Sequence, residues 1–297
     1  MTPGRFRNFV AIDWSGAVGE RQKGIAVAHC SAAGEAPVLV EPPGHHIWSR
    51  AAVLDYLLDR LPPDALVGLD LGISLPFADA GAFFPEWDES PPDARALWAF
   101  VDAACADDPH LSASSFVDHD QASAYFRRHG GREGLRFHLP GAADRRGRMR
   151  VTERAQARAG CKPYSNFNLV GAAQVGKSSL TGMRLLHRLA GRLPVWPVDA
   201  LPASGSVVVE IYTTLAAVAA GRSASRAKMT CCAALNEALS ALDSPPVARR
   251  GAIDDHSADA LLTAAWLRGH AHDPALWHPA ELSDQLARTE GWTFGAA

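Results

Sequence analysis

Cysteine is scarce and poorly spaced for chemistry. The five in this 297-residue chain (Cys30, Cys105, Cys161, Cys231, Cys232) are odd in number and show no C-x-x-C spacing. That pattern argues against a disulfide framework and against a thiolate zinc site. Long apolar runs are missing too: no stretch is long enough to span a bilayer, and the first residues lack the apolar segment of a signal peptide. The expectation is a cytoplasmic, reduced protein with no membrane partner. A net charge of only −3 gives no global attraction to polyanions. Repeats and low-complexity tracts are absent. With 47% hydrophobic residues, the chain is ample for one sizeable core, in one large domain or a domain with a big insertion.

What the chain does have is acid on apolar segments. Asp13 ends Phe9-Val10-Ala11-Ile12-Asp13 and is followed by Trp14-Ser15-Gly16; Asp70 sits in Leu66-Val67-Gly68-Leu69-Asp70-Leu71-Gly72; Glu210 closes Val207-Val208-Val209-Glu210. A fourth site is the helix-like run Asp254-Asp255-His256-Ser257-Ala258-Asp259. A carboxylate on a buried strand is costly unless something positive meets it. Four such sites point to a shared positive partner, and a divalent cation is the simplest.

Charge is also uneven along the chain. From Asp79 to Asp120 ten acids face one base (Arg95), and from Arg127 to Lys162 eleven Lys or Arg face three acids. The second segment reads either as a phosphate-contact surface or as a solvated Arg-rich loop.

Hydrophobic patterning predicts strands at Phe9–Asp13, Gly24–Cys30, Val38–Val40 and Leu66–Ile73, with a helix capped by Ser49 and ended by Pro62-Pro63 before the fourth strand. The middle, about 74–205, is less regular and is expected as an insertion. It has predicted helices at Ala94–Ala104, Gln121–Arg128 and Ser178–Ala190, the last following an apolar Phe167–Val170 strand. Val207–Tyr212 is a predicted strand, Thr213–Ala220 and Met229–Leu242 are predicted helices, and Asp254–His270 is a helix with apolar Ala258, Leu261, Leu262, Ala265 and Trp266 on one face.

Without the middle, the order is β-β-β-α-β…β-α. That α/β arrangement is the RNase H-like core, here as a single domain over 1–297 with a large mixed insertion between the fourth and fifth strands. In such a core Asp13, Asp70 and the first turn of the last helix converge. Asp255 and Asp259 stand at i, i+4 and His256 and Asp259 at i, i+3, so all three share one side of that helix. Hard oxygen ligands without thiolates suit Mg²⁺ or Mn²⁺.

The motifs Ala11–Gly16, Gly68–Gly72, Val209–Tyr212, Asp254–Leu261 and Glu290-Gly291-Trp292-Thr293-Phe294-Gly295, with Arg150–Arg154 and the run Phe167–Gly182, resemble a family catalogued as domain of unknown function number 429. It is an RNase H-like predicted nuclease family, and the resemblance covers nearly the whole chain. It implies a nuclease acting on DNA or RNA. By the wider superfamily's pattern Asp13, Asp70 and Asp259 are the metal-holding acids. His256 takes the place, one helical turn before the last Asp, that an Asp or His occupies in Holliday-junction resolvases. Asp255 departs from that spacing, and Glu210 is not firmly placed by the pattern. The candidate catalytic set is therefore Asp13, Asp70, Asp259, Asp255, His256 and Glu210, with Arg148, Arg150, Arg154, Lys177 and Ser178 as phosphate contacts.

A competing motif is Gly171-Ala172-Ala173-Gln174-Val175-Gly176-Lys177-Ser178, which matches G-x-x-x-x-G-K-[ST] between a predicted strand and a predicted helix. It offers a nucleotide (ATP or GTP) hydrolase or kinase, with Val207–Glu210 as the only Walker-B-like strand, or a loop that holds one backbone phosphate through Lys177. A non-enzymatic nucleic-acid-binding module is the third reading. Ser15 lacks the G-x-S-x-G surroundings of a hydrolase nucleophile. Trp14 reads as a packing residue, with base stacking as the alternative.

Overall fold

The structure, a computed structural model, describes residues 4–142, 146–171, 174–224 and 228–296. It is α/β, with one mixed sheet of six strands. They are β1 (Asn8–Asp13), β2 (Ala26–Ser31), β3 (Val38–Val40), β4 (Ala65–Asp70), β5 (Val195–Trp196) and β6 (Val207–Glu210), in the order β3-β2-β1-β4-β6-β5. β1 to β3 form an antiparallel meander, whereas β4 and β6 extend it in parallel from β1 and β5 joins β6 in parallel at the edge. The ends of β1, β4 and β6 therefore reach the same edge of the sheet.

Ten α-helices surround it among the described residues: α1 (Arg50–Asp55), α2 (Ala94–Ala104), α3 (Ser114–Asp118), α4 (Val151–Arg158), α5 (Val175–Arg188), α6 (Thr213–Ala219), α7 (Cys232–Ala241), α8 (Asp255–His270), α9 (Pro274–Trp277) and α10 (Asp284–Thr289). Alternation along the strands divides two cores. Val10, Ile12, Val67, Leu69 and Val208 face Val53, Leu97 and Leu180 of α1, α2 and α5. Phe9, Ala11, Leu66, Val207 and Val209 face Leu215, Leu235 and Leu261 of α6, α7 and α8. The central helix on that second side is α8, laid on β1 and β2. Asp254 caps it by accepting the Ser257 amide at 2.8 Å. Among the described residues no helix is long and apolar enough to cross a membrane.

Several expected elements differ. β4 stops at Asp70, where the chain folds back with the Leu71 amide on the Leu69 carbonyl. Phe167–Val170 is not a strand; only Asn168 makes an isolated bridge, to Arg127. Gln121–Arg128 shrinks to a 3₁₀ turn, Ala122–Tyr125. Both departures have one cause: Tyr125, Phe126 and Phe167 enter an aromatic cluster with Phe84 and Phe116. α1 runs on as one π turn, Tyr56–Arg60. The middle region also carries α4 and the edge strand β5, neither of which the apolar pattern predicts.

Candidate acidic site at the strand ends

Parallel register puts Asp13 directly beside Asp70 at the ends of β1 and β4. Strand parity sets their face. Asp13 follows Phe9 and Ala11, and Asp70 follows Leu66 and Gly68, so both carboxylates point to the α8 side. Gly68 has a steric reason, since a Cβ there would lie 2.6 Å from the Ile211 side chain.

Asp259, on the second turn of α8, completes a triangle of mutually repelling acids. Burial first, then Asp13 and Asp259, pushes Asp70 well above the usual carboxylate range. Burial, then Asp13 and Asp255, lifts Asp259 to about 7. Asp13 is raised chiefly by burial. Partial relief comes from three neighbours. His256 Nδ1 lies 3.3 Å from Asp13 Oδ2, and that bond lifts the imidazole to about 9. Thr213, opening α6, donates its hydroxyl to Asp70 Oδ2 at 3.3 Å, and its amide also favours the ionised form. Lys228 Nζ meets Asp255 Oδ2 at 2.5 Å and holds that carboxyl below its usual range. Asp255 thus meets an ammonium, while its charge still reaches Asp13 and Asp259. Neither Thr213 nor Lys228 was indicated by the sequence. A Thr directly after a predicted strand, at the start of a predicted helix, is the one signal that marks the first, and nothing in the local pattern marks the second.

The donor set suits a hard cation. It offers three carboxylates, no thiolate, and buried negative charge that one imidazolium and one ammonium offset only in part. As they stand, no three His, Cys, Asp or Glu side chains among the described residues converge closely enough to hold a metal ion. On donor type and charge Mg²⁺ or Mn²⁺ fits.

Glu210, placed in the candidate catalytic set, is not brought to Asp13 and Asp70. It follows Val208 on alternate positions, so it points to the opposite face from Asp70. There Arg150 clamps it through Nη1 at 2.8 Å and Nη2 at 2.6 Å. Arg150 also holds Glu153, with Nε and Nη2 on Oε1 at 2.9 and 2.5 Å. Glu290 joins the same knot and accepts the Phe77 and Ala78 amides on one oxygen and the Val151 amide on the other, each at 2.7 Å.

Two of the expected phosphate contacts are therefore not surface groups. Arg150 is 1% exposed, and Arg148, 3% exposed, forks onto Asp79 at 2.6 and 3.0 Å and onto the Pro76, Ala82 and Phe83 carbonyls. Both are core ties of the insertion. Arg154 is exposed on α4, while Lys177 and Ser178 are half-buried in the first turn of α5; none of the three makes an ion pair among the described residues. Trp14 is buried, with its indole N–H on Thr181 Oγ1 at 3.0 Å.

The P-loop reading loses its confirming context. Ala172 and Ala173 lie outside the described residues, and no strand precedes the loop. A Cβ on Gly176 would meet the Asn166 carbonyl oxygen at 2.4 Å, so this glycine serves close packing against carbonyls and not a cradle of amides. Its Walker-B candidate, Glu210, is bound to Arg150.

Between the two acidic groups lies a cavity of ≈ 160 Å³ that opens past the ends of β4 and β6. Asp70, Tyr164, Ser178 and Tyr212 line it together with Glu153 and Glu210. Such a crevice beyond the carboxyl ends of parallel strands is where α/β sheets commonly bind ligands. Comparison with protein-family models, with curated proteins and with solved structures finds no match to this chain, so the family resemblance rests on the quoted motifs alone.

Proposed function

We propose that the protein is a metal-dependent nuclease with an RNase H-like core, hydrolysing phosphodiester bonds of DNA or RNA. One observation carries the reading: parallel register sets Asp13 beside Asp70 at the ends of β1 and β4, and Asp259 of α8 lies near enough for its charge to act on Asp70 and for that of Asp13 to act on it. The antiparallel meander followed by parallel β4 and β6, with a late helix over β1, supports the same reading.

In this reading Asp13, Asp70 and Asp259 hold Mg²⁺ or Mn²⁺. When bound, the cation supplies an activated water and charge for the leaving oxygen. Thr213 orients Asp70 through its hydroxyl and the first amide of α6. His256, protonated at neutral pH, steadies Asp13. Lys177 and Arg154 remain as cations for the substrate backbone, each acting as a sequence-independent contact.

Asp13→Asn tests it. Cleavage of single-stranded, duplex and branched DNA and RNA in Mn²⁺ is expected to fall at least 100-fold, with binding retained. Cleavage at the wild-type rate by the Asn variant sinks the proposal.

A further inference from the structure

The cavity beside Asp70 is built for one group of limited size and particular chemistry. At ≈ 160 Å³ it is smaller than the ~300 Å³ or more that drug-sized ligands occupy. Its walls include two tyrosines. Tyr164 is 46% exposed, and Tyr212 is partly buried. The carboxylates disfavour a phosphate inside. Glu153 and Glu210 share the single charge of Arg150, and Asp70 adds a further acid at the mouth. A flat, uncharged ring with polar edges meets these conditions: it can stack on the tyrosine faces and hydrogen-bond along the polar wall.

From this we infer that the cleft receives a single unpaired base of the substrate, next to the acidic triangle. The inference rests on the nuclease reading and deepens it by naming the substrate class: nucleic acid with an unpaired or extruded nucleotide at the cleavage site. A base within a duplex cannot enter such a cleft without leaving its stack. The backbone phosphate stays outside, towards Asp70 on one side and the first turn of α5 on the other. Ser178 is on that turn, and its backbone packs so closely on Gly16, just after β1, that a Cβ there would lie 2.4 Å from the Ser178 nitrogen.

The test uses the full chain with Ca²⁺ in place of Mg²⁺, and two fluorescein-labelled hairpins made in DNA and in RNA. One carries a single bulged 2-aminopurine and the other has the same 2-aminopurine paired. The bulged hairpin is expected to bind at least tenfold tighter by anisotropy, with a change in 2-aminopurine fluorescence. Tyr164→Ala is expected to cost roughly tenfold in affinity for the bulged hairpin and to abolish that change, as lost base–aromatic stacking predicts. Tyr164→Phe is expected to keep both, since the ring and not the hydroxyl stacks. Tyr164 is exposed, so the Ala variant leaves the core intact. Equal affinity for the two hairpins, or an unchanged signal in Tyr164→Ala, overturns the base pocket while leaving the nuclease reading standing. Binding of neither hairpin by the wild type overturns the nuclease reading and the pocket with it.

Discussion

Two groups of acids meet near the same edge of the sheet and are treated in opposite ways. Glu153, Glu210 and Glu290 are each no more than 3% exposed, yet Arg150, the Thr293 hydroxyl and five backbone N–H groups take up their oxygens. Asp13, Asp70 and Asp259 have one histidine, one threonine and a lysine held at arm's length by Asp255. The first group is a closed structural knot that ties α4, β6 and the C-terminal segment to the loop after β4. The second is open and electrostatically strained. Buried acids with matched partners report on folding; buried acids left short of positive charge report on what they await.

Breaking the knot is expected to produce the largest effect. Arg150→Met removes the one cation shared by Glu153 and Glu210 and leaves both carboxylates buried. Loss of one partner from a buried pair costs ~3–5 kcal/mol, enough to take a marginal domain most of the way to unfolding. Urea denaturation followed by circular dichroism measures it. A loss below about 1 kcal/mol contradicts the account of the knot. Glu210→Gln is the milder companion, expected to lose stability while leaving any divalent-cation binding in place. That result would separate Glu210 from the acidic triangle.

Removing an acid from the open group is expected to act in the other direction. Asp70→Asn relieves repulsion from Asp13 and Asp259, so the metal-free protein is expected to melt a few degrees higher at pH 7.5, a shift worth ~1–2 kcal/mol for a chain of this size. The same variant is expected to lose cleavage and to lose the stabilisation that Mg²⁺ or Mn²⁺ gives the wild type. The pH dependence follows from the raised carboxyls. In the folded state they keep protons that the unfolded chain has already released, so their contribution to stability is full below about pH 4 and is lost as pH rises, through about 7 for Asp259. His256 acts with the same sign at higher pH: its contribution is full below 6.5 and lost as pH rises through about 9. Melting temperatures of the metal-free protein are thus expected to fall from pH 4.5 to 9, and a divalent cation is expected to flatten that fall. A flat metal-free profile contradicts the strained triangle.

The contrast also explains what was legible in the sequence. Asp13 and Asp70 stand out because each ends an apolar run, and Asp259 because helical spacing sets it on the face with His256. Those are local signals, and five of the six strands, with the β-β-β-α-β opening, follow from the same signals, whereas the two-residue edge strand Val195–Trp196 does not. Glu210 gives the same local signal and misleads, since Val207-Val208-Val209 is apolar at every position and carries no alternation from which a face can be read. Only the register with β4 reveals that it points away from Asp70. Charge counting fails for a related reason: Arg148 and Arg150 belong to a basic segment, but their partners Asp79 and Glu210 are 69 and 60 residues away in the chain. Phe167–Val170 reads as a strand because apolar runs do not say whether a sheet or an aromatic cluster will cover them.

The smallest effect sharpens the comparison most. Lys228 is 78% exposed at its side chain, and its bond to Asp255 is a surface pair whose loss costs little, with such pairs generally worth ~0–1 kcal/mol. Lys228→Ala is therefore expected to leave urea stability unchanged within error. Its charge nevertheless lowers the proton affinity of Asp13 and Asp259. In its absence the triangle is expected to keep protons to slightly higher pH, with a small upward shift in the apparent pKa read from pH titration of Mn²⁺ binding. At neutral pH two opposing terms act on affinity: the freed Asp255 adds negative charge beside the site, whereas the other acids release their protons less readily. At a pH high enough to ionise the carboxyls in either protein, only the first term remains and Mn²⁺ is expected to bind more tightly to Lys228→Ala than to wild type. Equal affinities there would mean that the ammonium serves Asp255 alone and that the open group of acids ends at Asp259.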